Sequence, residues 1–397
     1  MSEWQTFLAD ALAGIHSAGL HRQLRDLSSP QGVRIRLGGR ELLNFSSNDY
    51  LGLANHSKLK EAAIKAVDQY GAGAGASRLI CGSLKPFHDL EDALADFKRA
   101  EASLTFSSGY AAAMGTITAL LGRKDVVIID KLVHASIVDA ARLSGAKLRV
   151  FKHNDLDDLE RILKWASGRP RSPISDLPSS KILIVTESVF SMDGDLAPLK
   201  EIVEHKDRHG AWLMVDEAHA TGLFGERRSG RIEQLGLSGR VEIQMGTLGK
   251  SVGAAGGFVC GSRALIDFLI NSARSFIFST APVPASAVSA RAGVELIQTD
   301  EGAERCARVW QHARQLNEQA TSPILPLIIG DERTAVAIAT ALRERGFLIP
   351  AIRYPTVARG SARLRLTVTA DHTGADLEQL SAALVSLRTS HSASRHG

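Results

Sequence analysis

The chain has 397 residues, of which 44% are hydrophobic and 23% are charged. This length exceeds that of one average domain, and the composition is that of a folded globular protein, so disorder over most of the chain is excluded. The formal net charge is +4, and the basic residues are interspersed with acidic ones. The absence of a dense basic run with interleaved aromatic residues argues against nucleic-acid binding, whereas a mild basic excess suits an anionic small substrate.

The sequence predicts neither a membrane protein nor a secreted one. No stretch reaches the roughly 18 apolar residues that a membrane helix needs, and the N-terminus lacks a basic segment followed by an apolar one. The three cysteines, Cys81, Cys260 and Cys306, are far apart and lack the spacing of a metal site. We therefore expect a cytoplasmic protein with reduced thiols and no bound metal.

Periodicity predicts an N-terminal helix followed by an α/β core. Residues 3–26 are predicted to form an amphipathic helix, because Leu8, Leu12 and Ile15 recur at roughly helical spacing. Short apolar runs then alternate with helical patterns, which is typical of strands buried on both faces of a parallel sheet covered by helices. The predicted strands comprise residues 126–129, 148–151, 182–185, 212–215 and 242–245.

The pattern changes after about residue 286, where a smaller α+β domain is predicted. Its helices are predicted at residues 287–298, from there to 319, at 332–345 and at 374–389, and its strands at 324–329, 347–352 and 362–368. We therefore divide the chain into an N-terminal helix and strand arm (1–55), a large domain (56–286) and a smaller C-terminal domain (287–397).

Reactive side chains follow several of the predicted strands. Glu187 comes after strand 182–185, Asp216 and His219 come after strand 212–215, and Lys250 comes after strand 242–245. Ligands of open α/β sheets bind at the carboxyl ends of the strands. The sequence therefore predicts a ligand site at this edge.

Lys250 follows a short turn of small residues, which lets the backbone approach a bulky ligand. A lysine amine attacks a carbonyl only when it is neutral, and formation of an imine with a cofactor meets that need. A lone lysine is nevertheless more often a solvated surface residue. The segment also resembles part of a phosphate-binding P-loop, but Gln244 occupies the position of its first glycine, which makes that alternative weak.

The pair Asp216 and His219, which follows strand 212–215, suggests contacts with the ring of such a cofactor. A carboxylate there can keep a pyridine nitrogen protonated, so that the ring withdraws electrons, and the histidine three residues later can reach a phenolic oxygen of the ring. The simpler interpretation is a helix cap by Asp216 next to a surface histidine. From the residues alone, both the ring-binding interpretation and the helix-cap interpretation remain open.

Two other segments suggest contacts with a flat, phosphorylated ligand. Residues 107–112 open a helical pattern with hydroxyl groups and Gly109, so free backbone N–H groups there can bind a phosphate, although an ordinary capped helix is the alternative. His134 follows strand 126–129 and can stack on a ring, although a lone histidine is usually structural. The glycines of residues 71–75 lack both the spacing and the preceding strand of a dinucleotide-binding loop.

Seven segments, in their order along the chain, resemble the α-oxoamine synthases, a family of enzymes that use pyridoxal 5′-phosphate (PLP). The resemblance covers nearly the whole chain. The segments are residues 44–53 (NFSSNDYLGL), 75–79 (GASRL), 108–112 (SGYAA), 187–195 (ESVFSMDGD), 216–222 (DEAHATG), 247–250 (TLGK) and 362–367 (ARLRLT). The resemblance implies the fold-type-I, aspartate-aminotransferase-like architecture, with a large, mostly parallel sheet domain and a smaller α+β domain.

The resemblance also assigns roles around the cofactor. It implies that Lys250 carries PLP as a Schiff base and then removes the α-proton of the substrate, and that Asp216 pairs with the pyridine nitrogen. His134 is implied to stack on the ring and to protonate the thioester carbonyl. The other implied cofactor contacts are His219, Ser191 and Glu187 around the phenolic oxygen, Gly109, Tyr110 and Thr247 at the cofactor and its phosphate, and Ser279 and Thr280 at the phosphate of a neighbouring subunit.

The implied substrates are an amino acid and an acyl thioester. Arg365, with Asn48, is implied to bind the amino-acid carboxylate, since a guanidinium binds a carboxylate through two parallel hydrogen bonds. Arg22 and Thr356 match positions of the acyl site. The likeness is closest to the family member of biotin synthesis that condenses L-alanine, with decarboxylation, with pimeloyl-CoA or a pimeloyl carrier protein. A homodimer with shared active sites is implied.

Other members of the α-oxoamine synthase family, and two other classes of protein, are alternatives to this assignment. The family often has proline where this chain has Tyr354 and Ala358, so the acyl chain length stays open. Glycine C-acetyltransferase is the main alternative, with serine palmitoyltransferase and 5-aminolevulinate synthase more distant. A non-catalytic scaffold is expected to lack the lysine at position 250, and a nicotinamide oxidoreductase is remote because the glycine spacing fails.

Overall fold

A computed structural model of the chain describes residues 2–168 and 180–393. Thirteen strands occur in this part of the chain: β1 Arg34–Leu37, β2 Arg40–Asn44, β3 Ala102–Phe106, β4 Val126–Asp130, β5 Lys147–Phe151, β6 Ile182–Glu187, β7 Trp212–Asp216, β8 Ile243–Thr247, β9 Gly257–Gly261, β10 Ile324–Gly330, β11 Phe347–Leu348, β12 Ala351–Ile352 and β13 Ala362–Thr367.

Fourteen α-helices accompany these strands in the same described residues. They are α1 Glu3–Ser17, α2 Ser57–Tyr70, α3 Lys85–Lys98, α4 Gly109–Leu120, α5 Ala135–Leu143, α6 Leu156–Ser167, α7 Leu199–His209, α8 Arg231–Gln234, α9 Arg263–Ser272, α10 Arg274–Ile277, α11 Pro284–Ile297, α12 Asp300–Leu316, α13 Glu332–Glu344 and α14 Gly374–Ala393. A π-helical turn covers Arg78–Gly82. No helix of the described residues is both long and apolar enough to cross a membrane.

The chain forms two compact units. The larger unit, residues 48–311 with 369–371, contains a seven-stranded sheet in the order β3-β9-β8-β7-β6-β4-β5. Only β9 runs antiparallel to its neighbours. The predicted α/β architecture with a mostly parallel sheet is confirmed.

The central strands are apolar throughout because both faces of the sheet are covered. In β4, Val127 and Ile129 contribute to one core cluster, with α4, α5 and α9. Val126 and Ile128 contribute to a second cluster, with α6 and α7. Successive side chains of a strand point to opposite faces, so each strand requires an unbroken apolar run.

The smaller unit consists of residues 1–47, 312–368 and 372–397. Within its described part, two three-stranded sheets, β1-β2-β11 and β10-β13-β12, pack around one core cluster that includes Phe45, Leu364 and Leu377. The predicted domain bounds remain a prediction, but the structure groups residues 287–311 with the larger unit. The reason is that α11 packs against α2 and α3 of that unit.

The predicted helix over residues 3–26 is wrong in its second half. Helix α1 begins after a capping box formed by Ser2 and Gln5 and ends at Ser17. Gly19 then adopts a φ of 67°, in the left-handed region that glycine tolerates best, and this ends the helix. No side chain of α1 is buried, so no tertiary packing extends it further.

Candidate active site

Three neighbouring strands bring the predicted site residues to one edge of the large sheet. Glu187, Asp216 and Thr247 are the last residues of β6, β7 and β8. The sheet register places Glu187 opposite Asp216, and Asp216 opposite Met245. Because parallel strands end at the same edge, residues distant in sequence become neighbours here.

Lys250 enters a chain of hydrogen bonds at this edge. Its Nζ lies 2.8 Å from Nε2 of His219, and Nδ1 of that ring lies 2.7 Å from the hydroxyl of Tyr50. The Tyr50 hydroxyl in turn donates to Oδ1 of Asn48 at 3.2 Å. One consistent arrangement has Lys250 donating to Nε2 and Nδ1–H donating to the tyrosine oxygen. The chain fixes the position of the lysine amine.

Two buried carboxyl groups lie next to each other beside this lysine. Glu187 is 2% exposed and Asp216 is 6% exposed. Asp216 accepts a hydrogen bond from the N–H of Ala218 at 2.8 Å. Burial raises the pKa of Glu187 to about 8, and the negative charge of Asp216 raises it as well. Glu187 is therefore largely protonated near neutral pH and adds little negative charge beside Asp216.

His134 caps helix α5 and belongs to the same electrostatic environment. The backbone N–H of Ser136 donates to its Nδ1 at 3.2 Å, so the neutral ring carries its proton on Nε2. Burial lowers the pKa of His134, the charge of Asp216 opposes this, and the charge of Lys250 adds to it. The ring is consequently neutral near pH 7 and can donate a hydrogen bond from Nε2.

The start of helix α4 lies beside the end of β8. Ser108 caps the helix by accepting from the N–H of Ala111 at 3.1 Å, and a side chain at Gly109 would meet Thr247. At Gly257, a Cβ atom would lie 2.4 Å from the oxygen of Ser108, so only glycine lets β9 pass this close. Free N–H groups at a helix start can bind a phosphate, and the hydroxyl of Thr247 beside them donates to the carbonyl of Gly256 at 3.0 Å.

The remaining predicted cofactor contacts lie in loops and in helix α4 of the larger unit. Ser191 is buried in the loop after β6. The Tyr110 hydroxyl donates to Oδ2 of Asp139 in helix α5 at 2.8 Å. Ser279 is half-buried, and the backbone of the exposed Thr280 forms a β-bridge with Ser77. Their predicted contacts with PLP remain predictions.

The predicted substrate residues of the smaller unit fall into two groups. Arg365 is buried on β13, and its backbone N–H donates to the carbonyl of Pro350 at 3.1 Å. Arg22 and Thr356, which are 334 residues apart in sequence, line one cavity of this unit. The structure thus brings the two predicted acyl-site residues together.

Sequence reasoning missed Tyr50 as a member of the site. The residue lies inside the segment 44–53, but only its burial next to His219 reveals its function. A buried tyrosine hydroxyl needs a hydrogen-bond partner, and that requirement is the signal that could have identified it.

A second group that the sequence did not reveal supports the loop after β6. His153 lies between two carboxylates, with Nδ1 2.9 Å from Asp130 and Nε2 2.7 Å from Asp195. Its ring packs edge-on against Phe190. Burial lowers the pKa of His153, but the hydrogen bonds to both carboxylates outweigh this effect and raise the pKa to about 10. The imidazolium ties the ends of this loop to β4.

Replacement of His153 by glutamine should lower the free energy of unfolding by about 1–2 kcal/mol at pH 7, after allowance for solvent screening of a partly exposed group. The folded-state pKa is raised, so the stabilisation is complete below the unfolded pKa of about 6.5 and is lost as the pH rises through about 10. Urea unfolding of both proteins between pH 6 and pH 10.5 measures the difference. His88→Gln, at an exposed histidine bonded to Ser83, is the control. A deficit independent of pH would contradict the assignment.

The residues at this edge fit PLP. Asp216 offers a buried carboxylate for a protonated ring nitrogen, Lys250 offers an amine for the aldehyde, and the start of α4 offers backbone N–H donors for the phosphate. Among the described residues, Oε1 of Glu187 has no hydrogen-bond partner, and a polar group buried without one is costly. This oxygen is therefore available to a bound group.

Comparison with known proteins identifies the family. Residues 40–384 match the family described as aminotransferase class I and II.

The chain belongs to this family.

Relatives narrow the assignment within the family. The 8-amino-7-oxononanoate synthases of Symbiobacterium thermophilum and of Geobacter sulfurreducens are each 44% identical to this chain over 387 residues, covering 95% of this chain and 96% of each relative. The resemblance to the α-oxoamine synthases is thereby confirmed. The interpretation of the chain as an enzyme, in the class of PLP-dependent acyltransferases, is confirmed as well.

Solved structures of similar proteins have the same fold as this chain. A serine palmitoyltransferase from S. paucimobilis with a bound PLP–myriocin aldimine is 28% identical, with a TM-score of 0.87 over 96% of this chain and 97% of that one. An 8-amino-7-oxononanoate synthase from Francisella tularensis is 28% identical, with a TM-score of 0.71 over 86% of this chain and 96% of that one. The predicted fold-type-I architecture of PLP transferases is thus confirmed.

Proposed function

We propose that this enzyme binds PLP at Lys250 and condenses L-alanine with a pimeloyl thioester, giving 8-amino-7-oxononanoate, carbon dioxide and a free thiol in biotin biosynthesis. The observation that carries the proposal is the amine of Lys250, 2.8 Å from the ring of His219 at the edge that also holds the buried Asp216. The names of relatives at 44% identity support the choice of substrates.

The reaction requires removal of the α-proton of alanine. PLP, when bound, withdraws electrons from the α-carbon, and a negatively charged Asp216 keeps the ring nitrogen protonated for this purpose. Lys250 in its neutral form accepts the α-proton. The negative charge of Asp216 stabilises the positive charge that Lys250 then carries. Glu187, whose pKa is raised to about 8, adds little negative charge at neutral pH.

The second half of the reaction needs a hydrogen-bond donor at the thioester carbonyl, where negative charge develops. The net change joins the α-carbon of alanine to the acyl carbon and releases the thiol and carbon dioxide. His134 in its neutral form is suited to donate a hydrogen bond from Nε2 to the carbonyl oxygen, because Ser136 occupies Nδ1. Arg365 remains the predicted ligand of the alanine carboxylate, with Asn48, and Arg22 and Thr356 remain the predicted acyl-site residues.

Two further features belong to the proposal. We propose a homodimer in which Ser279 and Thr280 reach the phosphate of the cofactor in the neighbouring subunit. We also propose a cytoplasmic location, as is usual for a biosynthetic enzyme.

A substrate matrix tests the proposed reaction. Alanine, glycine and serine are each combined with acetyl-CoA, pimeloyl-CoA and a pimeloyl carrier protein, and thiol release and product mass are measured. We expect alanine with a pimeloyl thioester to exceed glycine with acetyl-CoA by about a hundredfold in kcat/KM, since a pocket discriminates about 1–3 kcal/mol per methylene group. A preference for glycine with acetyl-CoA would instead establish a glycine C-acetyltransferase.

A further inference from the structure

A buried polar chain links Asn48, the predicted carboxylate ligand, to Lys250 through two side chains. Tyr50 is 0% exposed and His219 is 5% exposed. The Tyr50 hydroxyl lies 2.7 Å from Nδ1 of His219 and 3.2 Å from Oδ1 of Asn48. The other ring nitrogen of His219, Nε2, lies 2.8 Å from Nζ of Lys250. Tyr50 thus stands between the histidine that contacts the lysine and the amide that is predicted to bind the substrate.

The tyrosine hydroxyl can donate to only one of its two neighbours, because it has a single hydrogen. The amide oxygen of Asn48 is an acceptor and never a donor, so the hydroxyl hydrogen points to it. No hydrogen of Tyr50 is then left for the contact with Nδ1 of His219. Nδ1 must therefore carry the hydrogen of that bond, and Nε2 of a neutral ring is an acceptor.

Lys250 requires the same direction of donation from the opposite end. In its ammonium form a lysine has three donors and no acceptor, so Nε2 of His219 has to accept from it. The reverse direction, with Tyr50 donating to Nδ1, would bring Nε2–H against the N–H groups of the ammonium. Both ends of the chain thus agree on donation from Lys250 through His219 and Tyr50 to Oδ1 of Asn48.

This direction also determines which face of the Asn48 amide meets the substrate. Because Tyr50 binds Oδ1, the NH2 group on the same carbon points away from the tyrosine with its two donors. An ionised carboxylate only accepts hydrogen bonds, so it fits the NH2 group and is repelled by the amide oxygen. An amide turned the other way would therefore bind an amino-acid carboxylate poorly.

We propose that Tyr50 is a positioning residue that couples the two ends of the site. It keeps Nε2 of His219 an acceptor for Lys250, and it keeps the NH2 group of Asn48 turned toward the carboxylate of the amino acid. The inference rests on the proposed function for the identity of the amino acid and for the contact of Asn48 with its carboxylate. The state of the His219 ring can be measured without PLP or substrate.

NMR of the PLP-free, full-length protein with ¹⁵N-labelled histidine observes the ring directly, and the signal absent from His219→Gln identifies it. The spectra are recorded at about pH 8.5, roughly two units above the ordinary imidazole pKa. We expect wild type to hold the ring hydrogen on Nδ1. Tyr50→Phe should give a mixture of both tautomers, because Nδ1–H loses its acceptor. A wild-type ring protonated at Nε2, or identical His219 signals in wild type and Tyr50→Phe, overturns the proposal.

Titrations of the PLP-loaded protein test the Asn48 end. L-Alanine and ethylamine, which lacks the carboxylate, are added separately, and each dissociation constant comes from the change in PLP absorption. We expect Tyr50→Phe to lower the preference for alanine over ethylamine about tenfold, as for loss of one hydrogen bond to a charged group. Asn48→Ala should lower it similarly, and Tyr50→Phe should then add little, because both substitutions remove the same contact. Loss of fold would weaken both ligands together and leave the ratio unchanged.

Tyr70→Phe is the matched control, since it removes a hydroxyl from a half-buried tyrosine at the end of α2. It should leave the His219 signal and the alanine preference as in wild type. A wild-type preference in Tyr50→Phe, or a further tenfold loss when Tyr50→Phe is added to Asn48→Ala, overturns the proposal. If another amino acid binds in place of alanine, the proposed substrate fails, and the same comparison with that amino acid and its decarboxylated amine still decides the role of Tyr50.

Discussion

Replacement of Lys250 by alanine is expected to lower kcat by at least about a thousandfold, because the variant lacks both the attachment point of PLP and the base that takes the α-proton. The protein should also lose the visible absorption band that PLP gains when its aldehyde condenses with a lysine. Absorption spectra with added PLP and steady-state rates with L-alanine and pimeloyl-CoA measure the two effects separately.

The geometry around Lys250 explains why no other lysine side chain of the protein should replace it. His219 holds its Nζ at 2.8 Å, and His219 is itself fixed by Tyr50. The matched control is Lys131→Ala, which removes an exposed lysine three residues before His134 and should leave spectrum and rate unchanged. A small added amine should restore part of the rate of Lys250→Ala, since it can take the place of the missing base. A band that persists in Lys250→Ala would refute the assignment.

The site residues at the ends of the strands could be predicted because the sequence pattern that marks them is local. Short apolar runs mark buried parallel strands, and Glu187, Asp216 and Lys250 follow them directly. Helix α1 was predicted too long because apolar spacing continues beyond Gly19, whose backbone conformation ends the helix. Periodicity reports which residues can share a helix face, but it does not report where the backbone turns.

The contacts that hold the site could not be predicted because their partners are distant in sequence. His219 meets Tyr50 across 169 residues, and His153 meets Asp130 and Asp195 across 23 and 42 residues. Such pairs depend on how strands are ordered in the sheet, which a single sequence does not specify. The cavity that Arg22 and Thr356 line is likewise built from three separate segments of the chain, residues 21–25, helix α13 and residues 348–356.

The segment that contains Asp216 and His219 depends on a buried ion pair beneath it. Lys98 of helix α3 and Glu217 are each 1% exposed in their side chains, and Nζ lies 3.0 Å from Oε2. Nζ also donates to the hydroxyl of Thr221 at 3.0 Å and to the carbonyl of Ser229. Glu217 accepts in addition from the backbone N–H of Ile232 at 2.9 Å. The lysine thus joins helix α3 to the segment that follows Asp216 and to the loop before α8.

Replacement of Lys98 by methionine should lower the free energy of unfolding by about 3–5 kcal/mol, because Glu217 is left as a buried, unpaired charge. The double variant Lys98→Met/Glu217→Gln removes both charges and keeps an oxygen for the backbone of Ile232, so it should recover at least about 1 kcal/mol of this loss. Urea unfolding of wild type, both single variants and the double variant gives the coupling energy directly. If Glu217 also orients Asp216, the single variant should bind PLP more weakly than the double variant at a temperature where both are folded. Additive losses in the four-protein comparison would show that the two side chains act independently and would contradict the role assigned to the pair.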